Sequence, residues 1–154
     1  MKYVEQVLQP GEKIIYATSL HWLVYLRAII LVIIAVATLL ASRAVPEPGL
    51  ALALQALAAL FGLWALLSGL NAVIRRSTTE LAVTDRRVIF KTGVFQRNSM
   101  EMNLSKVETV GVNQSILGRI LGYGTVIVRG TGGSFEPIRF IGDPLSFRSH
   151  ITAG

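Results

Sequence analysis

Three cations on one predicted β-hairpin are the side chains whose type and spacing best suit binding chemistry. Arg86, Arg87 and Lys91 lie in one short segment, and Asp85 precedes them in the predicted turn. Grouped cations attract phosphate and carboxylate groups. The group therefore predicts contact with anionic lipid headgroups or with an acidic segment of a partner protein. The alternative is an ordinary solvated hairpin in which Asp85 pairs with one of the arginines.

Residues suited to catalysis or metal binding do not occur at useful spacing. The chain has no cysteine and two histidines, His21 and His150, which lie far apart in the sequence. Neither thiol chemistry nor a metal centre is expected from this content. The sequence also lacks a nucleophile elbow, a phosphate-binding loop and a close pair of carboxylates. We predict a protein that is not an enzyme and needs no cofactor.

Two long apolar segments must position these residues. The segment Leu50 to Ile74 is uncharged and would reach roughly 37 Å as a helix, longer than the ~30 Å apolar core of a bilayer. A buried helix of a soluble protein is the alternative, but 154 residues supply little core to surround it. A second apolar segment, Leu23 to Ala41, contains one charge, Arg27. We predict membrane spans over 23–41 and 50–74, joined into an antiparallel hairpin by a proline-rich linker over 42–49.

The charges that flank the two segments predict their orientation. The side that bears both chain ends is rich in lysine and arginine, whereas the linker contains only Arg43. Cytoplasmic loops carry the excess of cations, so both termini are expected in the cytoplasm. Arg27 is expected to extend towards the headgroups, the alternative being a binding charge inside the membrane. The predicted interface anchors are Trp22, Tyr25, Arg27, Arg75 and Arg76.

Small residues recur along the second apolar segment at alternating steps of four and three. This spacing places them on one face of a helix, where small side chains let two backbones approach closely. We predict that the face packs against the first span or against a second protomer, while leucines point to lipid. The alternative is that alanine is simply common in membrane helices. The predicted seam consists of Ala51, Gln55, Ala58, Gly62, Ala65, Gly69 and Ala72.

The remainder of the chain predicts a small antiparallel barrel or two-sheet roll. The expected strands are Lys13–Ser19, Glu80–Val83, Arg87–Lys91, Gln96–Leu104, Lys106–Val112, Thr125–Arg129 and Glu136–Ile141. We expect the first strand to pair with the later ones, so that the membrane hairpin is an insertion; an N-terminal interfacial helix or free tail is the alternative. A short helix is predicted within 113–122, and a final helix follows the N-cap signal Asp143-Pro144. The expected regions are 1–20, 21–76 and 77–154.

Charge is concentrated in the part of the chain that begins at Arg75. From Arg75 to the C-terminus there are eleven basic and six acidic residues, which account for nearly all of the net charge of +6. With membrane helices beside it, such a basic domain is expected on an anionic leaflet. Nucleic acid is not an expected partner.

Three segments together carry a family resemblance: Thr84–Gly93, Leu104–Val110 and Gln114–Val128. They resemble the bacterial pleckstrin-homology-like family of small membrane proteins, whose members typically have two membrane helices ahead of the domain. The resemblance implies a seven-stranded barrel closed by a C-terminal helix, in the bacterial inner membrane, with no established catalytic residues. In eukaryotic pleckstrin-homology domains, basic residues on an early hairpin hold lipid phosphates, which is the position of Arg86, Arg87 and Lys91 here.

The expected function follows from this combination. We predict a membrane-anchored α+β protein that acts as a non-catalytic scaffold or adaptor. It would bind protein partners or its own copies, with anionic lipid as a secondary ligand. The alternative is an accessory subunit of a transporter, a pore or a larger membrane complex.

Overall fold

The computed structural model describes residues 2–93, 98–134 and 137–153. The chain divides into two compact units. The strand-rich unit combines residues 1–21 with residues 75–154, and the helical unit is Trp22–Ile74. A segment from before the helical unit therefore folds with the segment that follows it.

Eight strands are present among the described residues, all paired antiparallel. One sheet has the order β1-β2-β3-β4, and in the other β6 pairs with β5, β7 and β8. The bounds are β1 Ile14–Thr18, β2 Glu80–Thr84, β3 Arg87–Thr92, β4 Asn98–Asn103, β5 Val107–Asn113, β6 Tyr123–Gly130, β7 Gly133–Ser134 and β8 Ile138–Gly142. The strand that the sequence did not predict is β7, two residues long. Residues 96–97 and 136 of two predicted strands lie outside the described residues.

Five α-helices accompany the strands in the described part of the chain. Their bounds are α1 Lys2–Val7, α2 Leu26–Ala44, α3 Pro48–Thr78, α4 Ile116–Leu121 and α5 Pro144–Thr152. Helix α1 was not predicted. The linker between α2 and α3 is only residues 45–47, shorter than the predicted 42–49, because α2 continues through Ala44 and α3 begins at Pro48. Proline suits the first turn of a helix, where its missing N–H has no partner to lose.

The strand that precedes the helical unit pairs with the strand that follows it. In the β1–β2 ladder, Tyr16 lies opposite Val83 and Thr18 lies opposite Leu81. Beyond β1, the backbone N–H of His21 donates to the Phe140 carbonyl at 2.6 Å, which links β1 to the end of β8. The pairing that the sequence predicted for the first strand is therefore present.

The core of the strand-rich unit lies between the two sheets and α5. Phe147 and Ile151 of α5 are buried with side chains from both sheets, including Leu81, Val88 and Val126. Asp143 caps α5 by accepting a hydrogen bond from the Ser146 N–H at 3.3 Å. The predicted final helix is thus part of the core.

In the helical unit, α2 and α3 are long and apolar enough to cross a membrane. Most of their large apolar side chains are exposed, whereas a soluble core helix would bury them. The most buried side chains of α3 are alanines, Ala58, Ala65 and Ala72.

Candidate functional site

Arg87 is the centre of an ion-pair network in which Glu12 is buried and Glu101 is exposed. Its Nε and Nη2 atoms donate to the two carboxylate oxygens of Glu12 at 2.9 and 2.7 Å, and its Nη1 donates to Glu101 at 2.6 Å. Thr84 Oγ1 donates to the same Glu12 carboxylate at 2.7 Å. Such two-pronged arginine–carboxylate contacts are strong and geometrically specific. Arg87 therefore ties the N-terminal segment to two strands of the first sheet.

The network shifts the acidity of both partners. Hydrogen bonds from Arg87 hold the pKa of Glu12 at about 2, well below its ordinary value of 4.5, although burial of the carboxyl opposes this. The pKa of Arg87 is raised, chiefly by its hydrogen bonds to Glu12. Both groups are charged at neutral pH, and each is the partner that makes burial of the other tolerable.

Helix α1 is held on the outer face of the first sheet by charged side chains. The carboxylate of Glu80 accepts hydrogen bonds from the N–H groups of Tyr3 and Val4 at 3.2 Å, where the exposed N–H groups of a helix start favour an anion. Lys91 Nζ lies 4.5 Å from the centre of the Tyr3 ring. Arg87 Nη2 donates to the Val7 carbonyl at the other end of the helix at 2.8 Å.

The three cations predicted to act together have different surroundings in the structure. Arg87 and Lys91 stand four residues apart on β3, about 13 Å at the spacing of a strand, and both contact α1 or Glu12. Arg86 is exposed in the β2–β3 turn, beside an open surface hollow of about 590 Å³. Asp85 pairs with neither arginine through a described salt bridge; its carboxylate accepts the Lys13 N–H at 3.0 Å.

That turn also lies at the far end of β2 from α3. Helix α3 ends at Thr78, and β2 runs from Glu80 to Thr84 before the turn. The five residues of β2 place Arg86 roughly 16 Å along the strand from the end of α3. Of the predicted cluster, only Arg86 has a guanidinium that none of the described contacts engages.

The predicted interface anchors occupy the ends of the long helices, with one difference. Arg75 and Arg76 are exposed in the last turns of α3, and Trp22 is exposed in the 3₁₀ turn before α2, which also contains the half-buried Tyr25. The guanidinium of Arg27, however, lies 5.3 Å from the centre of the Trp64 ring. Trp64 is ten residues before Ile74, about 15 Å along the helix. In the structure Arg27 thus reaches towards the middle of α3. The sequence had instead predicted that its side chain extends towards the headgroups.

The predicted small-residue seam coincides with the most buried side of α3. Ala58, Ala65 and Ala72 are buried, Ala51, Gly62 and Gly69 are partly buried, and Gln55 is exposed. A Cβ at Gly69 would lie 3.7 Å from the Ala28 side chain of α2. The leucines predicted to face outward are exposed: Leu57, Leu60, Leu63 and Leu67.

Helix α4 presents a surface that the sequence analysis did not identify. Its large side chains are exposed, Ile116 by 80%, Ile120 by 73%, Leu117 by 63% and Leu121 by 41%. The one buried residue of the helix is Gly118. The apolar spacing predicted a helix but carried no information on the direction in which that face points.

A second surface lies beside the outer edge of β4. Five of the six side chains of β4 are exposed, and within the described ranges no strand pairs with its outer edge. A groove of about 480 Å³ runs between β4 and residues 131–134, which are the β6–β7 turn and β7. Met100, Met102 and Lys106 line it. We call this hollow the β4 groove.

Metal binding finds no support in the part of the chain that the structure describes. Within residues 2–93, 98–134 and 137–153, no three His, Cys, Asp or Glu side chains are grouped so that they could hold a metal ion.

Two antiparallel sheets packed around one core, with a C-terminal helix against both, define a pleckstrin-homology-like α+β fold. The family model described as Bacterial PH domain matches residues 14–152. The chain belongs to this family, as the resemblance of its motifs predicted. The matched range begins at β1, ends in α5 and includes both long helices. No curated protein and no solved structure matches the chain.

Proposed function

We propose that this protein is a non-catalytic adaptor of the bacterial inner membrane. Helices α2 and α3 anchor it as a hairpin, and the Bacterial PH domain binds an extended segment of a partner protein on the cytoplasmic side. The observation that carries the proposal is the outer edge of β4, which no strand of the described residues pairs, beside the β4 groove. Pleckstrin-homology-like domains are generally non-catalytic, which agrees with an adaptor.

An exposed strand edge is a template for another strand. Its outward N–H and C=O groups can pair with an extended peptide, and proteins usually shield such edges unless a partner covers them. In the β4 groove, Met100 and Met102 offer flexible apolar side chains that adapt to different ligands. Lys106 adds a cation that suits an acidic or carbonyl-rich segment. The groove therefore has main-chain pairing for affinity and side chains for selection.

Membrane anchoring is supported by the helical unit. Its exposed side chains are leucine, isoleucine and valine over most of both helices, as expected for contact with lipid. Helices α1 and α5 both belong to the strand-rich unit, which supports a hairpin topology with both of them on the same side of the membrane. The basic charge of this unit favours the cytoplasmic leaflet, with anionic lipid as a secondary ligand.

Assembly through the α3 seam is a weaker candidate than binding in the groove. The alanines of the seam are already buried within the helical unit. The outward side of α3 carries bulky leucines, which hold helix backbones apart. We therefore assign partner recognition to the domain and close packing of the hairpin to the seam.

Mild detergent extraction of the full chain, followed by native mass spectrometry, tests the adaptor function. Gly133→Trp fills the β4 groove, because a Cβ at this position meets no atom within 4 Å. Ser149→Trp is the matched control, since it adds the same ring on an exposed position of α5. We expect a complex of discrete mass that contains a second protein, lost in Gly133→Trp and retained in Ser149→Trp.

Three results would overturn the proposal. The wild-type chain could be found as a monomer that carries only lipid. The assembly could consist of copies of this chain alone, which would replace the adaptor by a self-assembling scaffold. The complex could also survive Gly133→Trp unchanged, which would place the partner elsewhere.

A further inference from the structure

Helix α4 is built so that its apolar face points away from its own domain. At 100° per residue, Ile116, Leu117, Ile120 and Leu121 fall on one arc, and all four are exposed. Gly118 lies on the opposite side and is buried, and a Cβ there would come within 2.7 Å of the Tyr123 carbonyl oxygen. The helix thus packs through its glycine and turns its largest side chains outward.

Polar contacts hold the helix in this orientation. Ser115 caps it by accepting the Gly118 N–H at 3.0 Å. Gln114 Nε2 donates to the Tyr123 carbonyl at 3.1 Å, and Gly122 ends the helix in the left-handed conformation that glycine adopts easily. A helix fixed by these contacts cannot turn to bury its apolar side chains in the core. The exposed face is therefore a stable feature of the fold.

The position of α4 indicates what covers this face. The His21 side chain hydrogen-bonds the backbone of Leu121, and the rings of His21 and Tyr123 are 5.6 Å apart. His21 is the last residue of the strand-rich unit before α2, and Arg76, which interacts electrostatically with His21, lies where the chain returns from α3. The C-terminal end of α4 therefore lies beside both points at which the chain passes to and from the long helices.

We propose that α4 is a second membrane contact, which inserts its four apolar side chains into the interfacial region of the leaflet that α2 and α3 enter. The inference rests on the membrane anchoring proposed above. Helices with a compact apolar face lie in the plane of the interface with that face about 5–10 Å below the headgroups. The exposed Arg119, on the other side of the α4 helix from the apolar arc, meets anionic phosphates at the surface.

Lipid fits this face better than a second copy of the chain. The C-terminal end of α4 lies beside the residues through which the chain joins the spans, so a leaflet is expected near this face whenever the hairpin is inserted. Arg119 on the helix and Arg76 near its C-terminal end are cationic, and one acidic residue, Asp143, lies beside Gly122; this cationic excess favours anionic headgroups over the same face of another copy. α4 would thereby fix the orientation of the domain on the membrane and keep the β4 groove open to the cytoplasm.

The absence of native cysteine allows a direct test with single-cysteine variants of the full chain. Ile120→Cys, Ser105→Cys and Leu60→Cys are each labelled with an environment-sensitive fluorophore and reconstituted into anionic vesicles that contain lipid-attached quenchers. Ser105 is exposed near the β2–β3 turn and serves as the aqueous control. Leu60 is an exposed residue of α3 and reports on anchoring alone. We expect blue-shifted, quenched emission at Leu60 and Ile120 and unquenched emission at Ser105.

The three probes separate failure of this inference from failure of the anchoring. Quenching at Leu60 but not at Ile120 would overturn insertion of α4 and leave the hairpin in place. Loss of quenching at Leu60 would overturn the anchoring and the inference with it. A blue shift at Ile120 without quenching would show that protein covers the face, and quenching at Ser105 equal to that at Ile120 would show that the contact is not specific to α4. Either result would also contradict the proposal.

Discussion

Two short helices of the same domain, α4 and α5, put their apolar side chains in opposite places. α5 buries Phe147 and Ile151 between the sheets, whereas α4 exposes Ile116 and Ile120. In both helices the capping side chain accepts a hydrogen bond from the backbone N–H three residues on. Asp143 accepts from Ser146 in α5, and Ser115 accepts from Gly118 in α4. The local signals that start a helix are therefore equivalent, and the difference lies in what each helix packs against.

The comparison shows what apolar periodicity does and does not encode. It predicts that a helix has an apolar face, but the face is buried only where the fold leaves room for it. In α4 the space is closed by the Tyr123 carbonyl, which admits glycine and no larger side chain at position 118. A capped helix with a glycine on the packed side and aliphatic residues outside is suited to contact with something beyond the domain.

Helix α1 represents a third case, in which charged contacts do most of the docking. Val4 is its one fully buried apolar residue, packed on Ala82 and Ile89. Glu80, Lys91 and Arg87 hold the two ends of the helix. The three helices therefore range from apolar docking in α5, through polar docking in α1, to outward presentation in α4.

Loss of the α5 anchor should have the largest effect on stability. Phe147→Ala removes a fully buried ring and leaves a cavity, so it should lower the free energy of unfolding by about 3–5 kcal/mol. Leu145→Ala is the control on the same helix, because Leu145 is about half exposed and should change stability by less than about 0.5 kcal/mol. Denaturant unfolding in detergent micelles measures both. Equal effects would show that α5 is not part of the core.

Removal of the Glu12 charge should have the second-largest effect on stability. Glu12→Gln keeps the shape but leaves the Arg87 guanidinium without its buried counter-charge, which should cost about 3 kcal/mol. Glu108→Gln, an exposed position on β5, is the matched control and should be nearly neutral. If both variants had the same free energy of unfolding as the wild type, Arg87 would have no structural role and would again be a candidate ligand-binding residue.

Acid should remove the same contribution from the wild-type protein. The pKa of Glu12 is about 2 in the folded protein and 4.5 ordinarily, so the unfolded chain takes up the proton first. The stabilisation, about 3 kcal/mol, is complete above about pH 4.5 and is lost as the pH falls towards about 2. Unfolding measured across this range should show a slope that Glu12→Gln lacks. A slope retained by the variant would assign the pH dependence to other carboxylates.

A methyl group on the packed side of α4 should have an intermediate effect. Gly118→Ala places a Cβ within 2.7 Å of the Tyr123 carbonyl, so α4 must shift, at a cost of about 1–3 kcal/mol for overpacking. Gly133→Ala, where a Cβ meets nothing within 4 Å, is the control. Amide hydrogen exchange over residues 115–124 should rise in the first variant only. Unchanged exchange would mean that the glycine contact does not seat the helix.

The exposed face of α4 should show the smallest effect on stability. Ile120→Ser changes a residue that contacts little of its own domain, so the free energy of unfolding in detergent should change by less than about 0.5 kcal/mol. A loss comparable to that of Phe147→Ala would show that Ile120 is packed inside the protein, and the contrast between the two helices would disappear.

Local sequence signals predicted much of this fold. Asp143-Pro144 predicted the start of α5, and the β-prone run after Lys13 predicted a strand, because both depend on nearby residues. The family motifs predicted the pleckstrin-homology-like α+β fold. Helix α1 escaped prediction because six residues form a stable helix only with distant partners, here Glu80 and Arg87.

The candidate site was harder to predict for the same reason. In the sequence, Arg87 resembles a ligand-binding residue because it is grouped with other cations. Its partner Glu12 is 75 residues away and was not singled out. Lys91 contacts Tyr3 across a similar separation. The outward orientation of α4 depends on a backbone carbonyl at Tyr123, which no residue type reveals. A glycine at 118, in the middle of an apolar helix, was the available signal.

The central claim is that the apolar face of α4, which is exposed in the fold, is covered by lipid in the membrane. Cysteine labelling in intact membranes tests this claim most directly. Ile120→Cys and Ser105→Cys are treated with a water-soluble maleimide in bacterial membranes that contain the full chain, before and after detergent is added. Both positions are exposed in the structure. We expect rapid labelling of Ser105→Cys throughout, and slow labelling of Ile120→Cys that becomes rapid in detergent. Equally rapid labelling of the two cysteines in intact membranes would contradict membrane insertion of α4.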